Sequence, residues 1–143
     1  MPPFPDRLAA AVRRRGPLCV GLDPRWELLP RSVRDRHRGK PGEYPAALRE
    51  FCLRVLDLVE PFAAVVKPQS AFFELFGPEG LHALRVVVQR AKEMGFVTVF
   101  DAKRGDIAST AAAYADAAFD GVTVDGVTFP VWDADAVTVN PYL

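Results

Sequence analysis

Cysteine is scarce in this sequence: two in 143 residues, Cys19 and Cys52, with neither metal nor redox spacing. Both sit in apolar runs, so buried free thiols are expected, as in a reducing compartment. Histidine is equally scarce, also at two, which leaves no His/Cys cluster for a metal centre. An excess of one charge is missing as well. Eighteen Lys and Arg balance eighteen Asp and Glu, which argues against nucleic acid as a partner. No apolar run approaches the roughly 18 residues of a membrane span. Residues 1–6 (MPPFPD) have neither the basic start nor the apolar core of a signal peptide, so the expectation is a cytoplasmic protein without a membrane partner. No Gly-rich dinucleotide or phosphate-loop fingerprint follows any apolar run, and neither a 20–50-residue repeat nor a low-complexity tract is present.

What remains is a composition half apolar and a quarter charged, enough for one globular core. The apolar residues fall into alternating periods. Residues 6–15 read as a short helix under the first strand, with Leu8, Ala11 and Val12 at helical spacing and Gly16 at its end. Residues 18–22 (LCVGL) read as a strand ending at Asp23 before Pro24. Residues 24–43 lack an apolar period and hold Arg25, Arg31, Arg34, Arg36, Arg38 and Lys40 interleaved with acids, which predicts a long exposed loop. A helix from Pro45 to about Glu60 follows, with Leu48, Phe51, Cys52, Val55 and Leu58 as its buried stripe. Residues 63–67 (AAVVK) read as a second strand, and Pro78 to Met94 as a helix closed by Gly95.

The third strand carries the sharpest signal. In residues 96–104 (FVTVFDAKR) the period of two puts Val97, Val99, Asp101 and Lys103 on one face and Phe96, Thr98 and Phe100 on the other. Arg104-Gly105-Asp106 breaks it, and Ser109 or Thr110 can cap the alanine-rich helix of about 109–119. After a turn-rich passage holding Asp120-Gly121 and Asp125-Gly126, residues 136–140 form a fourth strand, ending at Asn140 before Pro141.

Strands alternating with helices at this spacing call for parallel pairing through right-handed crossovers. The fold class is therefore α/β, read as the N-terminal half of a (β/α)8 barrel with about four parallel strands; a doubly wound open sheet is the alternative. In a barrel the C-terminal strand ends converge on one mouth, where Asp23, Lys67, Asp101, Lys103 and Asn140 would meet. Since a whole barrel takes about 250 residues, residues 1–143 are expected to form a single, incomplete barrel domain.

The stretch 101–111 (DAKRGDIASTA) resembles the active-site segment of the orotidine 5'-phosphate decarboxylase family. Residues 20–25 (VGLDPR), 66–74 (VKPQSAFFE) and 137–142 (VTVNPY) resemble it too, in the same order. The resemblance implies decarboxylation of orotidine 5'-monophosphate to UMP, a step of pyrimidine biosynthesis, without a metal or organic cofactor. It also implies a homodimer. In the family, Asp23 would hold a ribose hydroxyl, Lys67, Asp101 and Lys103 would form a charged array, and Asp106, Ile107 and Thr110 would reach into the partner's site. Lys103 would be the ammonium beside the reacting carbon, and Asn140 a further substrate-binding residue. Two alternatives stay open. Magnesium-dependent sugar-phosphate decarboxylases and synthases of the same superfamily share Asp-x-Lys-x-x-Asp, and the chain could be a non-catalytic fragment that only associates with other chains. The family's phosphate-gripping loops belong to the second half of the barrel. The 143 residues alone are accordingly expected to be inactive and prone to self-association through unpaired strand edges and through uncovered Val65, Val97 and Val99.

Overall fold

The computed structural model describes residues 2–142. In chain order it consists of α1 (Phe4–Arg15), β1 (Leu18–Leu22), α2 (Arg31–His37), α3 (Tyr44–Val59), β2 (Ala63–Pro68), α4 (Ser70–Glu74), α5 (Gly77–Glu93), β3 (Val97–Arg104), α6 (Ala108–Ala118), β4 (Val122–Val124), β5 (Val127–Phe129) and β6 (Ala136–Val139). The main sheet runs β1-β2-β3-β6 with every pairing parallel, and β4 and β5 form a separate two-stranded ribbon. This is the half-barrel order expected from alternating strands and helices.

One face of the sheet is covered by helices. Leu22, Val66 and Phe100 pack against Leu48, Cys52 and Leu56 of α3 and Leu84, Val87 and Val88 of α5, all nearly or fully buried. Each large side chain so enclosed contributes about 1.5–3 kcal/mol. The stripe of α3 differs from expectation at one point: Leu56 is buried and Leu58 is 73% exposed. At 100° per residue, Leu58 lies about 200° around the helix from Leu56, on the solvent side. Gly80 lets the first turn of α5 close on α4, because a Cβ there would come within 1.9 Å of the Phe73 carbonyl oxygen.

Residues 24–43 are not a loop. Short 3-10 turns at Trp26–Leu28 and Pro41–Glu43 flank α2, and Leu29 and Val33 are buried against the α3 layer. Leu29 precedes α2 and Val33 is its one buried residue, too little to make a period that stands out among the arginines. Arg34 is half-buried; the other arginines of the segment stay outside, where Arg36 pairs with Glu50.

The first helix also sits differently from the expectation. It packs under β2 and β3 rather than β1: Ala11, with Leu8 and Val12, meets Ala64, Val65 and Val97. Its C-terminal arginines hold it there. Arg15 pairs with Glu60 and donates to the Met94 carbonyl at 2.6 Å, and Arg14 donates to the Gly95 carbonyl. Val97 is therefore covered from below, whereas Val65 and Val99 are half-buried. Cys19 is exposed, contrary to the buried thiol expected, because it pairs with Val65 on the uncovered face of β1; Cys52 is buried, and burial raises its thiol pKa to about 12, aided by the charge of Asp23.

The start of β6 is stapled to β3 by Asp135. Its carboxylate accepts from the Thr98 N–H at 2.8 Å and the Thr98 hydroxyl at 3.1 Å, its own N–H donates to the Thr98 carbonyl at 3.1 Å, and Arg7 reaches it at 2.6 Å. Between α6 and this staple lies the β4–β5 hairpin, which the turn-rich reading did not resolve into strands. Its two-residue turn places Asp125 at φ 50° and Gly126 at φ 77°, the left-handed pair that a tight hairpin of this twist requires. Among the described residues no helix is long and apolar enough to cross a membrane.

Candidate functional site

The period of two in β3 delivers Asp101 to the end of the sheet opposite α1, on the face turned away from α3 and α5. Its neighbours are set by register. Gln69 follows β2 directly and bridges to Asp101 in parallel, and Val137 stands opposite Phe100. From there to the next pair, Arg104 opposite Val139, β3 advances four residues while β6 advances two. The surplus is absorbed as a bulge, with Lys103 at φ 47°. A left-handed conformation at a residue with a side chain costs on the order of 1–2 kcal/mol. In this case it curls the lysine back, so that its ammonium meets the carboxylate two residues earlier.

Asp101 is 4% exposed and saturated with donors. Oδ1 accepts from Lys103 Nζ at 2.6 Å and Thr138 Oγ1 at 2.8 Å; Oδ2 accepts from Lys67 Nζ at 2.5 Å and Gln69 Nε2 at 2.9 Å. Burial alone would raise the pKa of this carboxyl, but the hydrogen bonds from Lys103, Lys67 and Thr138, with the charge of Lys67, outweigh it and hold the group well below the usual carboxylate range. Lys67 is shifted upward, first by its hydrogen bond to Asp101, against its own desolvation, and further by the charges of Asp101, Asp23 and Cys19. Removing either lysine leaves the buried carboxylate short of a partner, at a cost reduced by the solvent that reaches the lysines. The Lys103 side chain remains 63% exposed, and that of Lys67 34%.

Both lysines face a cavity of about 450 Å³ bounded by Lys67, Asp101, Lys103, Thr138, Val139, Asn140 and Pro141. Of the residues singled out in the sequence, Lys67, Asp101 and Lys103 thus form one hydrogen-bonded cluster, and Asn140 lies on its rim. The Asn140 side chain makes no bond to the cluster: its Oδ1 accepts from the Tyr142 N–H at 3.0 Å, and its own N–H donates to the Arg104 carbonyl at 2.8 Å. Asp23, exposed just beyond β1, acts on Lys67 through its charge.

The structure does not bring the remaining three to the cluster. Asp106 accepts from the Ile107 N–H at 2.8 Å and lines a different, mostly apolar groove of about 310 Å³ against Tyr114, Phe119, Val137 and Val139. Ile107 is 71% exposed, and Thr110 is exposed in the first turn of α6. Neither Ser109 nor Thr110 caps that helix, since the cap position is Ile107 and no side chain bonds there. Two partners of Asp101, Gln69 and Thr138, were missed. Thr138 was within reach of the same reasoning, standing two residues before Asn140 on the same face of its strand, but a threonine in a β-branched strand reads as strand-forming.

An accessible ammonium fixed on a buried, ionised carboxylate can stabilise negative charge forming on a bound molecule and can hand over a proton. The chain as a whole is similar to known proteins. Residues 16–143 match the family model of orotidine 5'-phosphate decarboxylase / HUMPS. An orotidine 5'-phosphate decarboxylase of Rhodopirellula baltica is 44% identical over 142 residues, 98% of this chain and 46% of the relative, and one of a Nocardioides species is 44% identical over 143 residues, all of this chain and 47% of the relative. The solved structure of Leishmania donovani OMP decarboxylase superposes with a TM-score of 0.71 at 38% identity, covering 99% of this chain and 45% of that one. The chain spans about half the length of the curated relatives it matches. A match of that extent makes this chain a member of the orotidine 5'-phosphate decarboxylase / HUMPS family.

Proposed function

We propose that the chain supplies the decarboxylating array of an orotidine 5'-phosphate decarboxylase, a carbon–carbon lyase that converts orotidine 5'-monophosphate to UMP and CO2. The observation that carries this is the Lys67–Asp101–Lys103 cluster at the wall of an open cavity. When the bond from C6 to the carboxylate breaks, its electron pair stays on C6, where no adjacent carbonyl delocalises it. An ammonium beside that carbon stabilises the charge as it forms. Lys103 takes this role and then transfers a proton from Nζ to C6. Asp101 holds the ammonium aimed through its hydrogen bond, and its negative charge repels the substrate carboxylate, a repulsion relieved as CO2 departs.

Lys67 orients Asp101 from the other side, and Asp23 and Asn140 contact the nucleotide at the rim. Asp106, Ile107 and Thr110 stand away from the cluster on the far side of Gly105, and we assign them to the site of a second copy in a homodimer. The exposure of Ile107 and Thr110 supports that assignment, with Asp106 half-buried beside them. The full set of four donors on Asp101 supports charge-array chemistry over magnesium-assisted enediolate chemistry, because neither oxygen is left free for a cation.

The test supplies orotidine 5'-monophosphate to the chain, alone and fused to the part of the Rhodopirellula baltica relative that lies beyond the match, with EDTA present. UMP formation in either form supports the proposal. No UMP from either form, or turnover that requires magnesium, overturns it.

A further inference from the structure

Thr138 joins the two halves of the Asp101–Lys103 pair. Its hydroxyl donates to Asp101 Oδ1 at 2.8 Å and accepts the backbone N–H of Lys103 at 3.0 Å. The second bond matters because of the bulge. Between the Phe100–Val137 and Arg104–Val139 pairs the ladder is interrupted, so the Lys103 N–H finds a side-chain oxygen of β6 in place of a backbone carbonyl. Beyond it the strands rejoin through the Asn140 N–H and the Arg104 carbonyl at 2.8 Å.

We propose that Thr138 is a positioning residue of the decarboxylation site: one hydroxyl fixes the left-handed backbone of Lys103 and the carboxylate that its ammonium must meet. The inference rests on the functional reading above and deepens it. A single oxygen holds both ends of the lysine, the backbone through its lone pair and the ammonium through the carboxylate to which the Thr138 hydroxyl donates. Thr138 need not touch substrate to do this. Valine at the same position keeps the β-branched shape and the strand, but it strands a donor at Lys103 and removes a donor from Asp101.

The deciding comparison is Thr138→Val against Thr138→Ser in the form that turns over orotidine 5'-monophosphate. Loss of a hydrogen bond to a charged group predicts kcat lower by about 30-fold in Thr138→Val with KM changed by less than about threefold. Thr138→Ser, which keeps the oxygen, should retain kcat within about threefold of the parent. A valine variant as active as the parent overturns the proposal. So does a serine variant that falls as far as valine, since the methyl and not the hydroxyl would then be responsible. If Thr138→Val does not fold, Thr138→Ala removes the same hydroxyl without adding bulk and is judged by the same criteria.

A second readout needs no turnover. In ¹³C NMR of the 143-residue chain, the Asp101 carboxyl should titrate at higher pH in the hydroxyl-free variant than in the parent, and at the parental pH in Thr138→Ser. An unmoved Asp101 in the variant overturns the positioning claim. Absence of turnover in every form, with Asp101 moved as expected, overturns the decarboxylase reading while leaving the role of Thr138 in shaping the pair supported.

Discussion

Two aspartates, Asp101 and Asp135, lie buried at opposite ends of the same sheet, with side chains 5% and 3% exposed. Asp135 is enclosed by the Thr98 backbone and hydroxyl and by one guanidinium, that of Arg7, itself only 24% exposed. Asp101 has two ammoniums, one of them on a side chain 63% exposed beside a cavity. The difference teaches what separates an enclosed carboxylate from one whose partner reaches solvent. Both are desolvated and fully partnered, and cavities open beside both, but only Asp101 has a partner whose side chain is mostly exposed. Burial and saturation do not tell the two apart; the accessibility of the partner does.

The largest expected effect breaks this contrast on the chemical side. Lys103→Ala should lower kcat at least about 10³-fold, the scale of losing a stabiliser of transition-state charge, while nucleotide binding stays measurable. A variant within about tenfold of the parental kcat, a change of about 1.4 kcal/mol, would remove Lys103 from the mechanism. Asp135→Ala attacks the other end. It leaves Arg7 and the Thr98 N–H without their partner and should reduce unfolding free energy by about 3 kcal/mol in urea titrations, with the Lys67–Asp101–Lys103 cluster intact in a crystal structure of the variant.

Acidity sharpens the comparison further. The Asp101 pKa is depressed from its ordinary 3.8, so its contribution to stability is present above about pH 4 and is lost as pH falls. Lys67 is raised from 10.5, so its contribution is present below that value and is lost as pH climbs past it. The pair should therefore contribute evenly from about pH 5 to 9. Urea unfolding of the parent between pH 5 and 2 should lose stability more steeply than that of Asp101→Asn. Smallest of all, Leu58→Lys should shift stability by no more than about 0.5 kcal/mol, because that leucine faces water.

Much of this was legible in the residues. The alternation in 96–104 placed Asp101 and Lys103 on one face, and Pro24, Pro68 and Pro141 marked where three of the four main-sheet strands stop. Less was legible where the deciding partner is distant in sequence. Nothing near Cys19 shows that its side of β1 has no covering layer, and nothing near α1 shows that Glu60 and Met94 draw its arginines beneath β2 and β3. The face of Thr138 follows from its strand period, but its contacts do not, for a related reason. Its partners sit across a bulge, and a bulge is a property of two strands together. The hairpin is the opposite case, since Asp125-Gly126 between Val-Thr-Val and Val-Thr-Phe is a strong local signal that was read only as a turn.

The parallel pairing of the sheet also has a consequence in time. Leu18 pairs with Ala63, Val65 with Val97 and Val99 with Ala136, partners more than 30 positions apart, whereas Val124 and Val127 of the hairpin are three apart. Long loops must close before any sheet contact rewards them, which puts such ladders on the slow side of folding, while a two-residue hairpin forms in roughly 1–10 μs. The β4–β5 ribbon, peripheral in the finished molecule, is thus the first strand pairing the chain can make. The bulge that shapes Lys103 comes late, since it exists only once β6 has found β3.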